Sequence, residues 1–183
     1  TSYSVLKNME IDGLDTLKPF GLIHHQIFGV ELMVSRTGFT GDLGYELWID
    51  PTKAIDLWDA LFEAGKLHGI RAIGTHALDL ARKEAGYLAP FEDFLPAETT
   101  VRTGRTRSPL EIGMEWLVDF NKDNFNGRRA LLKEKVEGST WQLVKLDIEG
   151  NKTADNSYIY ADDKKNSDEI GFITSAAWSP VCK

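Results

Sequence analysis

Between Gln26 and Ser35 the chain reads QIFGVELMVS, with β-branched and large apolar side chains on either side of Gly29. That pattern predicts two strands, or one bent strand. A loop follows with glycine at every third position, Gly38, Gly41 and Gly44. Strict alternation over Tyr45–Ile49 then predicts a strand with Tyr45, Leu47 and Ile49 on one face and Glu46 and Trp48 on the other. Asp50 before Pro51 reads as an N-cap with proline at the first helical position. The helix it opens carries Ile55, Trp58, Leu61 and Phe62 as its apolar stripe and ends near Gly69. A second helix is predicted from about Thr75 to Gly86, with Ala77, Leu78, Ala81 and Ala85 as its stripe and Asp79 and Arg82 one turn apart. From Leu88 to Pro109 the periodicity dissolves into a long connection, which points to a functional loop or a domain junction. EIGMEWLVDF resumes as a strand, NFNGRRALLKEKVEG as a short helix starting near Gly127, and TWQLVKLDI, SYIYA and EIGFITSAAW as further strands. The fold class is therefore α+β, with a mixed part over 1–110 followed by a β part over 111–183.

Composition and charge mainly exclude. The chain has 183 residues, room for one domain of about 150 residues or two smaller ones. Its formal charge of −7 and the lack of a dense basic cluster, RTGRTR at Arg102–Arg107 being the nearest, argue against a nucleic-acid partner. The single cysteine, Cys182, excludes a disulfide framework or a thiolate metal site within these residues. It suits a reducing compartment, the cytoplasm or, in a eukaryote, the mitochondrial matrix. No apolar run of about 18 residues is present, so no membrane span is expected. The first residues, TSYSVLKNME, lack the charged start and apolar block of a signal peptide. Both ends read as cuts in a longer protein. His24, His25, His68 and His76 do not fall at metal-ligand spacing, and no metal is expected. There is no G-x-S-x-G elbow, and the glycines spell neither G-x-G-x-x-G nor a P-loop.

Three separated stretches say more than any of these. SRTGFTGDLGYEL (Ser35–Leu47), AIGTHALDLARKEAGY (Ala72–Tyr87) and EIGFITSAAWSP (Glu169–Pro180) occur in that order. Together they resemble the folate-binding aminomethyltransferase family, which holds the glycine cleavage T-protein and related folate-dependent demethylases. GMEWLVDFNKDNFNGRRAL also looks like that family's entry into its C-terminal barrel. The resemblance implies that the chain is the latter half of a longer protein, with 1–110 in a folate-binding domain and 111–183 in an incomplete antiparallel β-barrel. An incomplete barrel would expose a sheet edge and leave self-association open.

In that family the glutamate closing the first motif bonds the pterin ring of tetrahydrofolate, and it falls here on Glu46. The chemistry is coherent on its own terms, since a pterin edge offers an amino group and a ring N–H side by side and one carboxylate accepts both. Glycines allow a backbone to approach a flat ring closely. Phe39 stands where the T-protein usually has a tyrosine beside the folate, Tyr87 matches an aromatic ligand contact or is a core tyrosine at the helix end, and Trp178 either flanks the pocket or is a buried barrel tryptophan. Arg36 and Arg82 fit structural roles better, Arg82 by pairing with Asp79 or Glu84. Leu78 stands where T-proteins carry a folate-binding arginine, and in this the chain is more like the demethylase branch of dimethylglycine, sarcosine and sulfoniopropionate chemistry. The family's catalytic aspartate falls upstream of this chain, so no catalytic residue is assigned. The resemblance implies tetrahydrofolate, a small one-carbon donor and, for an aminomethyltransferase, a lipoyl carrier protein as partners. A reading of different class is a non-catalytic folate-binding module. Its iron–sulfur assembly relatives carry a cysteine where this chain has Asn124 and Phe125 in NKDNFNGRR.

Overall fold

The computed structural model describes residues 1–101, 106–164 and 167–180. Cys182 and residues 102–105 of the RTGRTR stretch lie outside the described residues. The chain divides into two compact units, Thr1–Tyr87 and Leu88–Lys183.

In the first unit, helix α1 (Ser2–Asn8) leads to strands β1 (Leu22–Ile27), β2 (Val30–Ser35) and β3 (Glu46–Ile49), then helices α2 (Ala54–Gly65) and α3 (Thr75–Ala85). The strands form an antiparallel sheet in the order β1-β2-β3. Gly29 is a turn rather than a bend. Phe28 and Gly29 both take positive φ, 54° and 76°, the pairing of a two-residue hairpin whose twist matches its strands. The register sets Ser35 against Glu46 and Met33 against both Trp48 and His24. One face of the sheet thus carries Leu32, Val34, Leu47 and Ile49, and the other carries His24, Met33, Ser35, Glu46 and Trp48.

The first face is the core. Leu32 and Val34 are fully buried and pack with Leu6, Ile11, Leu14, Leu17 and Leu57 from the N-terminal segment and α2. Each such side chain contributes about 1.5–3 kcal/mol by leaving water. Asp50 caps as expected, its Oδ1 accepting the Thr52 N–H at 2.9 Å, although the first turn, Pro51–Lys53, is 3-10 rather than α. Helix α2 buries only part of the stripe its periodicity suggests, Leu61 packing against the core. Leu57 is inside, whereas Ile55 and Trp58 are exposed and Trp58 meets Phe62 with centroids 4.7 Å apart and planes inclined by 35°. On α3 the most buried side chain is Arg82, at 2 % exposure, while Ala77 is exposed. In both helices the neighbours, more than the helix's own pattern, select the inward face. Helix α1 is additional to the predicted elements.

The second unit contains α4 (Arg128–Glu137), which starts after Gly127 as expected, and an antiparallel pair, β4 (Tyr158–Tyr160) with β5 (Glu169–Phe172). The strands expected in EIGMEWLVDF and TWQLVKLDI are not formed. The first stretch is turns with a 3-10 turn at Glu115–Leu117, and the second has no named element. The Leu143 N–H reaches the Glu111 carbonyl at 2.8 Å, so the stretches meet without building a ladder. An extended apolar run becomes a strand only where a neighbour supplies a row of backbone partners. Mixed α+β is what the structure shows; among the described residues of this unit, a closed barrel is not.

Asp93 organises the start of this unit. It is 7 % exposed and accepts from the Ala89 N–H at 2.8 Å, from the Thr174 hydroxyl at 2.7 Å and from the Ser175 hydroxyl. A buried carboxylate is stable only when its lone pairs are met in this way. Asp155 holds the next residue, accepting the Ala176 N–H at 2.6 Å. The Arg107 guanidinium lies 4.7 Å from the Trp141 ring centroid and 5.9 Å from that of Phe172.

Candidate functional site

The glycine loop between β2 and β3 is built to sit close to the end of α3. A Cβ on Gly41 would lie 2.6 Å from the Ala85 Cβ, and Gly41 has φ +83°. Both facts require glycine there. The limbs of the loop also run side by side, since a Cβ on Gly38 would meet the Gly44 Cα at 3.7 Å. Arg36 anchors the entry, its Nη1 donating to the Leu17 carbonyl at 2.8 Å and its own N–H to Gly21 at 2.9 Å. At the exit the Leu43 carbonyl accepts from the Ser2 hydroxyl.

Seating the loop on α3 brings two of the expected aromatic residues together. Phe39 and Tyr87 stack with centroids 5.7 Å apart and planes inclined by 24°. They are 39 % and 41 % exposed, so the stack presents ring surface to its surroundings. The backbone of Tyr87 is held by Arg82. The Tyr87 N–H donates to the Arg82 carbonyl at 2.8 Å, and Arg82 Nη1 donates to the Tyr87 carbonyl at 3.2 Å. Arg82 Nε in turn meets Asp79 Oδ1 at 2.8 Å, and Lys83 meets the other Asp79 oxygen at 2.8 Å. Lys83 first, then Arg82, holds the Asp79 carboxyl below its ordinary value of 3.8 against the opposing effect of burial. Of the expected partners for Arg82, Asp79 is observed, and the arginine serves the helix end and through it Tyr87.

Glu46 opens β3 at the foot of the same loop and is exposed. Its Oε2 accepts the hydroxyl of Thr37, and Thr37 Oγ1 lies 2.9 Å from Ser35 Oγ. Ser35 and Glu46 are cross-strand partners. Thr37, two residues beyond Ser35, completes a line of two hydroxyls and one carboxylate. The loop thus holds Glu46 at its base and Phe39 near its tip, with Tyr87 against Phe39. Trp178 lies on the irregular segment after β5, in the second unit, and is exposed. Leu78 sits half-buried on α3.

Three contributions come from the tertiary structure. The Ser35/Thr37 line has a signal in hindsight, because period-2 spacing at a strand end places both hydroxyls on the glutamate's face. The grip of Arg82 on Tyr87 depends on a left-handed Gly86 after the helix, also a legible cue. Asp93 had none, being one acid among several in a long connection.

Elsewhere, His24 Nδ1 pairs with Glu31 at 3.1 Å and His68 bonds Asn8 at 3.1 Å. Among the described residues no group of three or more His, Cys, Asp or Glu could hold a metal ion, and no helix is long and apolar enough to cross a membrane. A shallow cavity of about 350 Å³ opens beside Met9, Ile27, Phe28 and Ala60, with none of Phe39, Glu46 or Tyr87 in its wall.

A family model described as the GCVT N-terminal domain matches residues 2–122. An aminomethyltransferase of Halothermothrix orenii is 38 % identical over 180 residues, covering 98 % of this chain and 47 % of that protein. Another, from Caldanaerobacter subterraneus, is 38 % identical over 159 residues, covering 86 % and 39 %. One from Thermotoga maritima is 36 % identical over 178 residues, covering 96 % and 44 %. The chain spans about half the length of these curated relatives or somewhat less.

Proposed function

Because this chain belongs to the GCVT family, we propose that it serves tetrahydrofolate-dependent one-carbon transfer of the aminomethyltransferase kind, with its glycine loop as part of the folate site. The observation that carries the reading is the placement of Glu46. Its carboxylate stands at the foot of a loop with glycine at every third position, with Oε2 engaged by Thr37 and, among the described residues, no hydrogen bond to Oε1. That donor–acceptor pattern fits the amino and N–H edge of a pterin, and the exposed Phe39–Tyr87 stack fits a flat heterocycle. Glu46 would read the ring edge, and Phe39 and Tyr87 would supply apolar ring surface.

When bound, tetrahydrofolate supplies the nitrogen atoms that take up the one-carbon unit. The residues of this chain position the ring and keep water from its polar edge, so their contribution is orientation and electrostatic complementarity rather than proton transfer. The partners on this reading are a reduced folate, an aminomethyl donor and the lipoyl carrier that would present it. The demethylase reading suggested by Leu78 is not favoured, since the relatives are aminomethyltransferases, and the non-catalytic module is likewise not favoured. In domain terms, residues 1–110 are read as the folate-binding portion and 111–183 as the beginning of a barrel-type domain.

The test is a calorimetric titration of the chain with 5-formyltetrahydrofolate, a stable reduced folate. Wild type is expected to bind, and Glu46→Gln, which replaces one acceptor oxygen by a donor, to bind roughly tenfold or more weakly. Equal affinity of the two proteins would refute the role of Glu46.

A further inference from the structure

Glu46 is exposed, and an exposed glutamate ordinarily samples many rotamers. Here it does not stand alone. Thr37 donates its hydroxyl to Glu46 Oε2, and Ser35 Oγ lies 2.9 Å from Thr37 Oγ1. A hydroxyl has one proton and a carboxylate can only accept. Once the Thr37 proton is committed to Glu46, the Ser35–Thr37 contact can be filled only by the Ser35 proton. The line therefore has a single direction, Ser35 to Thr37 to Glu46. Its members are fixed by the sheet, because Ser35 ends β2 directly across from Glu46 at the start of β3. Arg36, between the two hydroxyl residues, is tied to Leu17 and Gly21, which holds the backbone that carries them.

We propose that Thr37, supported by Ser35, is the positioning residue of the ligand site, holding the Glu46 carboxylate in one orientation so that it meets a pair of adjacent N–H donors. The inference rests on the folate reading for the identity of its ligand, but the restraint on Glu46 exists without one. A carboxylate fixed before binding loses less rotamer freedom when the ligand arrives, and its acceptor lone pairs already face one way. The restraint also selects. With Oε2 accepting a hydrogen bond from Thr37, the remaining lone pairs favour a ring edge that presents two donors over an edge that presents one or an acceptor. Gly38 and Gly44, whose limbs touch, keep side chains out of the space beside the line.

The experiment compares Thr37→Val, which keeps the shape and removes the hydroxyl, with Thr37→Ser, which keeps the hydroxyl. The first readout needs no ligand and is the rotamer averaging of Glu46, from side-chain scalar couplings and carbon relaxation. Wild type and Thr37→Ser are expected to hold one dominant rotamer, and Thr37→Val to average. The second readout is affinity for 5-formyltetrahydrofolate and for its 2-deamino analogue. Thr37→Val is expected to weaken the first roughly tenfold and the second no more than about threefold, with Thr37→Ser within about threefold of wild type for both. Unchanged ordering of Glu46 in Thr37→Val overturns the proposal. So does an equal loss in Thr37→Ser, or an equal loss for the two ligands, either of which would mark a general disturbance of the loop. If wild type binds neither ligand, the folate reading fails, while the ordering of Glu46 still decides the role of Thr37.

Discussion

Gly41→Ala is the most revealing single change in the first unit, because two separable costs meet at one atom. The added Cβ would lie 2.6 Å from the Ala85 Cβ, well inside the 3.4–4 Å of ordinary contact, and its neighbour is a helix residue rather than the end of a flexible chain. Forcing such an overlap costs about 1–3 kcal/mol. Independently, φ of +83° places an L side chain in the left-handed region, at about 1–2 kcal/mol. The expected destabilisation is therefore about 2–5 kcal/mol, concentrated on the loop, and it should separate Phe39 from Tyr87. Ala85→Gly removes the overlap and leaves the backbone strain, at its own cost of about 1 kcal/mol for glycine in a helix. In a double-mutant cycle from urea unfolding, the pair should recover about 1–3 kcal/mol relative to the sum of the single changes. Gly44→Ala is the control, since its nearest contacts are at 3.7 Å, and it should shift stability by less than about 0.5 kcal/mol. Additive single changes, or a Gly44→Ala as damaging as Gly41→Ala, would refute the close seating of the loop on α3.

Two further outcomes are expected. Asp93→Ala removes a carboxylate that accepts from the Ala89 N–H and the Thr174 and Ser175 hydroxyls, at about 3 kcal/mol, and should expose residues 173–178 to limited proteolysis before the rest of the second unit; Asp93→Asn should do so less. For Asp79, the folded carboxyl lies below its ordinary 3.8, so its pairing with Lys83 and Arg82 stabilises the protein above that pH and is lost as pH falls through the lower folded value. Carbon-detected titration of Asp79 should show the depressed midpoint, and Asp79→Asn should remove this part of the acid sensitivity.

The elements of the first unit were largely legible because each carries a local signal. The β1–β2 hairpin needs residues that tolerate positive φ at its turn, β3 needs strict alternation, and α2 and α3 are bounded by Asp50-Pro51 and by Gly86. The faces of the helices were less legible, since Leu57 and Arg82 are buried by what packs on them rather than by their own spacing. In the second unit the apolar stretches over 111–120 and 140–148 have strand composition without strand pairing, and composition cannot supply a partner.

The candidate site divides along the same line. The sequence by itself determined which groups are available, namely a glutamate at a strand start, glycines at every third loop position, two aromatic residues and the motif order that marks the family. Only the tertiary structure decided how they are used. It stacked Phe39 on Tyr87 across separate elements, turned Arg82 to the helix end that carries Tyr87, and set two hydroxyls in a line that ends on one carboxylate. Propensity and periodicity act over a few neighbouring residues, whereas a hydrogen-bond line or a ring stack depends on which distant backbones the packed core brings within 3–6 Å of each other.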